Sequence, residues 1–145
     1  MRIGSGKGGL LALAAAMVFA GAAMAAGPAE SIAARQALMR GMGQAAGKLR
    51  SSTSPSGSLA DAKQLAELAG RLPTLFPPGS DAGDTQALKT VWTDPAGFAT
   101  AVQNLQTATG LLAAAAQADD KTGFANALKQ TGAACGACHA SYRAH

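Results

Sequence analysis

Both cysteines and both histidines of this 145-residue chain fall in its last eleven residues, within the stretch ACGACHASYRAH from Ala134 to His145. Cys135, Cys138 and His139 spell C-x-x-C-H, the attachment signature of a c-type haem. On a helix, residues three apart share a face, so both sulfurs can add to the vinyl groups along one porphyrin edge. The histidine that follows is then placed to ligate the iron. Other cysteine chemistries fit this spacing less well. A disulfide between residues so close would shut a very small loop and stabilise little. A zinc site needs four ligands at separated positions, and Cys135, Cys138, His139 and His145 lack the long interval between pairs. A thioredoxin-like redox pair belongs to a βαβ pattern, which this sequence does not show. His145 reads as a solvated terminal residue.

The other end of the chain reads as an export signal. Arg2 and Lys7 precede the apolar run GLLALAAAMVFA, Gly9 to Ala20, and small residues flank Met24 at Ala23 and Ala25. That order is a secretory signal peptide over residues 1–25, cut after Ala25. The run is short and Ala-rich for a membrane anchor. The expected mature chain, 26–145, keeps ten basic and eight acidic residues, so the formal charge falls from +4 to +2. Its basic residues are scattered, which excludes the clustered face of a nucleic-acid binder. The expected product is exported to the periplasm and free of the membrane after cleavage.

The elements that must hold the site are helices. Ala, Leu, Gln and Lys dominate the mature region, Val and Ile are scarce, and no alternating strand appears. The first helix is expected from about Ala29 to Leu49, with Ile32, Met39, Met42, Ala46 and Leu49 at helical spacing. RSSTSPSGS, Arg50 to Ser58, is a loop. The second helix runs from about Leu59 to Leu72 and Pro73 stops it. A longer loop begins at Phe76 and includes a short helical turn at Gln86 to Val91. Asp94 and Pro95 open a third helix that ends near Ala118. Asp120 caps the last helix, whose seam is Phe124, Leu128, Thr131, Cys135, Cys138 and Tyr142. This is an all-α chain, an antiparallel four-helix bundle with covalently bound haem. Its seams are rich in Ala, Thr and Gly, so the core is thin and something else is expected to fill it.

Four motifs in order extend the reading beyond C-x-x-C-H. They are RQALM (Arg35 to Met39), FPPGS (Phe76 to Ser80), VWTD (Val91 to Asp94) and CGACHASYR (Cys135 to Arg143). Together they resemble the cytochrome c′ family, the class II c-type cytochromes, over essentially the whole mature chain. The resemblance implies one covalent haem c on Cys135 and Cys138, with His139 as proximal iron ligand. It also implies Arg143 near the proximal face, Tyr142 on the haem seam and Arg35 near the haem propionates. Periodicity alone would leave Arg35 a solvated helix charge.

The resemblance places Met39 at the sixth position of the iron, with Met42 as a substitute one turn on. His/Met ligation raises the reduction potential and suits electron transfer. The function expected first is therefore a periplasmic one-electron carrier that serves a redox partner protein. The alternative is a five-coordinate protein that binds NO or CO. A peroxidase would want a distal acid–base group, and no histidine is spare, so no enzymatic role is expected. Relatives often form homodimers through their first two helices, and a homodimer is a partner the resemblance allows.

Overall fold

A computed structural model of the protein describes residues 27–144. Residues 1–26, which include the expected signal peptide, and His145 lie outside the described residues. Helix α1 is Pro28–Ser51, α2 is Leu59–Arg71, α3 is the short Thr90–Thr93, α4 is Pro95–Gln117 and α5 is Lys121–Tyr142. The four long helices form an antiparallel bundle, and no strand occurs among the described residues.

The helix ends follow local chemistry. Pro28 opens α1, where its missing N–H is no loss. Gly27 donates its N–H to the Glu30 carboxylate at 2.9 Å. Lys48 and Arg50 occupy the last turn of α1, where positive charge offsets the helix dipole. Pro73 ends α2 as expected, but the chain continues as a 3-10 turn over Leu72–Leu75. Asp94 accepts from Gly97 N–H at 3.1 Å and caps α4. Asp120 accepts from Gly123 N–H at 3.0 Å and caps α5. Asp120→Ala is expected to cost about 1 kcal/mol in a urea melt, the usual value of an N-cap. Between α4 and α5, Asp119 adopts a φ of 51° and accepts from Ser56 N–H at 3.0 Å, tying that turn to the loop before α2.

The core gathers Leu38, Met42, Leu49, Leu65, Leu72, Leu112 and Phe124 with many alanines. Buried Thr109 and Thr131 donate their hydroxyls back to Leu105 O at 2.9 Å and Ala127 O at 2.8 Å, so neither is left unpaired. Helix α4 packs along α5 and α2, and α2 packs along α1, whereas α1 and α5 barely touch. The space the thin seams leave is therefore concentrated between the first helix and the last.

One local expectation shifts. The short helical turn forms at Thr90–Thr93, not at Gln86 to Val91. Residues 86–88 are extended instead, because their backbone pairs with the tail of α5. Ala87 bridges Arg143 in antiparallel fashion. Leu88 N–H donates to Tyr142 O at 3.0 Å and Ala144 N–H donates to Gln86 O at 2.8 Å. Among the described residues no helix is long and apolar enough to cross a membrane.

Candidate haem site

A cavity of about 620 Å3 opens between α1 and α5. Its α5 wall carries Cys135, Cys138, His139 and Tyr142. Its α1 wall carries Arg35, Gln36, Met39, Met42, Gly43 and Ala46. Phe76, Phe98 and Leu105 form the back, and residues 84–87 cross the mouth. All seven residues singled out from the sequence, Arg35, Met39, Cys135, Cys138, His139, Tyr142 and Arg143, line this one cavity.

Both cysteines are free, Cys138 buried and Cys135 half-buried. Burial pushes both thiols above their ordinary pKa, and Cys135 raises Cys138 further. They are thus protonated at neutral pH, not reactive thiolates. Burial, and secondarily the Arg143 charge, lowers the pKa of His139. The imidazole is then neutral at pH 7, the form that ligates a metal. Two free thiols and a neutral imidazole on one wall of a largely apolar cavity fit a covalent porphyrin, whose volume falls within the range of ligand pockets.

Arg35 is not a solvated charge. It is only 4% exposed. Its guanidinium donates to Ser80 Oγ at 3.0 Å, Ser80 O at 2.7 Å and Thr85 Oγ1 at 2.5 Å, with a longer contact to Leu75 O at 3.5 Å. It also lies 5.1 Å from the centre of the Phe76 ring and 5.7 Å from that of Trp92. Among the described residues the one ion pair is Lys48–Asp61, so no carboxylate neutralises Arg35. Burial lowers its pKa, and a guanidinium still keeps its charge.

Tyr142 packs edge-on against Phe98 at 5.3 Å and donates its hydroxyl to Asp94 Oδ2 at 2.8 Å. A side chain at position 97 would collide with that hydroxyl and with the Asp94 carboxylate, which explains Gly97. Arg143 follows the last residue of α5 and lines the cavity without continuing the helix. The tail turns extended after Tyr142 to pair with Ala87, and Arg143 Nε donates to Gln86 Oε1 at 3.0 Å. Ser80 lay within a quoted motif without an assigned role. Thr85 and Gln86 carried no sequence signal, since their partners come from 50 or more residues away.

A bundle of four helices whose last one presents C-x-x-C-H to an apolar cavity defines a c-type cytochrome with one covalently attached haem c. The family model for cytochrome c′ matches residues 30–143. The chain belongs to the cytochrome c′ family. Cytochrome c-554 of Cereibacter sphaeroides is 38% identical over 86 residues, covering 57% of this chain and 56% of that protein. The chain spans between 56% and 64% of the length of the curated relatives it matches. Among solved structures, cytochrome c′ from Thermochromatium tepidum superposes with a TM-score of 0.78 at 29% identity, covering 83% of this chain and 99% of that one. A carbon monoxide-bound variant of cytochrome c′ from Alcaligenes xylosoxidans gives 0.76 at 28% identity, covering 83% and 98%.

Proposed function

We propose that the protein is an exported haem protein of the periplasm that binds a diatomic gas, NO or CO. The observation that carries this reading is the asymmetry of the cavity walls. The α5 wall offers one imidazole, His139, whereas the α1 wall between Met39 and Ala46 lines the cavity with Met39, Arg40, Met42, Gly43 and Ala46 and offers no imidazole. A small ligand therefore competes there with at most a thioether. The Alcaligenes xylosoxidans protein, similar in fold, has been crystallised in variants with carbon monoxide and with nitric oxide.

In this reading Cys135 and Cys138 form the thioethers and His139 is the proximal ligand. Arg35 and Arg143 supply positive charge toward the acidic side chains of the porphyrin, and Tyr142 packs beside it. The bound iron supplies both the gas affinity and any one-electron chemistry. Residues 1–25 direct export and are removed. The role assigned to the site is binding of the gas.

Met39 favours a second reading. It lines the cavity, half-buried, on the wall facing His139. A six-coordinate His/Met electron carrier, the function expected first from the sequence, needs that sulfur on the iron. The comparisons give this reading less support than the gas-binding one.

The visible spectrum of the reduced holoprotein with and without CO separates the two. Conversion on CO addition is the expected result. A sharp low-spin spectrum that CO leaves unchanged transfers the assignment to the electron carrier. Met39→Ala is expected to tighten CO binding about tenfold, equivalent to about 1.4 kcal/mol, because it removes the side chain expected first to compete for that space.

A further inference from the structure

The two walls of the cavity barely touch each other, yet both hold the same short segment. On the α1 side, Arg35 donates to Thr85 Oγ1 at 2.5 Å and Gln36 Nε2 donates to Asp84 O at 2.9 Å. Arg35 and Gln36 stand one helical turn before Met39. On the α5 side, Leu88 N–H reaches Tyr142 O at 3.0 Å and Ala144 N–H reaches Gln86 O at 2.8 Å. Arg143 Nε adds its bond to Gln86 Oε1 at 3.0 Å. Tyr142 to Ala144 stand one turn after His139. Within the segment, Ala87 N–H donates to Thr85 Oγ1 at 3.0 Å, so the two anchor points are themselves joined. Thr90 Oγ1 adds a last tie to Ser141 O at 2.8 Å.

We propose that residues 84–88 are a strap that fixes the separation of the α1 and α5 walls, and that Thr85 and Gln86 are positioning residues for Met39. The proposal rests on the haem reading of the cavity. Direct contacts between α1 and α5 are few, and α1 is otherwise held through α2 and the turn at Leu72–Leu75. The strap is the direct tie between the two walls and sets how closely Met39 approaches the ligand site. Loosening it frees α1 to move outward. Met39 then withdraws, whether it ligates the iron or only crowds the gas, and in either case CO binds more tightly.

The test uses holoprotein and two independent readouts. Thr85→Val removes the acceptor at nearly constant shape and Gln86→Ala removes the Arg143 partner, whereas Thr85→Ser and Gln86→Glu retain them. CO affinity is expected to rise about tenfold, about 1.4 kcal/mol, in Thr85→Val and Gln86→Ala, and to stay at the wild-type value in the conservative pair. The gain must disappear in a Met39→Ala background, because the strap acts through that side chain. Hydrogen exchange at the amides of Leu88 and Ala144 should accelerate in Gln86→Ala while the core of α4 keeps its protection. Unchanged CO affinity with accelerated exchange would show a structural tie without control of the site and overturns the proposal. So does a gain that persists without Met39. Wild-type protein without a haem spectrum refutes the functional reading instead, and the exchange measurement then judges the strap separately: unchanged exchange in Gln86→Ala counts against it.

Discussion

Protein carrying Cys135→Ser together with Cys138→Ser, made in cells able to attach haem, is expected to lose its haem completely under denaturing conditions. Wild type retains it. The thioether bonds need sulfur, and a serine hydroxyl does not add to a vinyl group under the same conditions. The substitutions themselves are mild. Serine is close in size to cysteine, and a hydroxyl in a helix can donate to the carbonyl four residues back, so Cys138 can be replaced in its buried position without leaving a polar orphan. The bundle should therefore still form, and haem should enter the cavity reversibly, as a ligand held by His139 and the apolar walls. Stability then depends on haem concentration by mass action, which a covalent group does not. A haem-stained denaturing gel and a thermal melt at two haem concentrations check both points. Covalent retention in the double variant would remove Cys135 and Cys138 from the site.

The contrast between these cysteines and the strap explains what a sequence discloses. Covalent attachment imposes a local spacing, so Cys135, Cys138 and His139 are written within five consecutive residues. Helix starts are local too. Asp94 with Pro95, and Asp120 before Lys121, act on N–H groups three positions away, and both form where the sequence places them. The thin core was also legible, as Ala and Thr at seam positions, and its counterpart is the cavity between α1 and α5. Tertiary pairing is different. Nothing in residues 84–88 announces that their backbone meets Tyr142 and Ala144, and the extended conformation they take overrides the helical turn expected there. Arg143 lines the cavity as expected, but its extended backbone and its pairing with Ala87 have no local signal. Motif resemblance located Met39, but a motif specifies which face a side chain shares and not how far the facing helix stands. For that reason the choice between a six-coordinate carrier and a gas-binding protein lies with wall separation, a property of the assembled bundle.

Arg35→Ala is expected to destabilise the holoprotein by about 2–4 kcal/mol in urea melts, a large effect for one residue. On periodicity alone Arg35 is a surface charge, and its removal would stay within about 0.5 kcal/mol. The loop from Phe76 to Thr85 changes that by folding over it. Gly79 and Gly83, with φ of 82° and 105°, allow the reversal that brings Ser80 and Thr85 back to α1. Removing the guanidinium leaves Ser80 O without its donor in a residue that is fully buried, a loss of about 1–3 kcal/mol. The Ser80 hydroxyl still donates to Pro77 O at 2.8 Å, so it adds little to the cost. The stacking on Phe76 and Trp92 and the packing of the alkyl stem are lost as well. Against these losses stands the relief of a buried cation that has no carboxylate beside it, which keeps the net effect below their sum. Arg35→Lys should recover only part of the stability, because one ammonium cannot serve Ser80 and Thr85 in the fixed fork of a guanidinium. Arg35→Met keeps the stem without the charge and separates packing from hydrogen bonding. If Arg35→Ala melts like wild type, the loop is held without it, and the anchor of the strap on the Met39 wall is lost from the account.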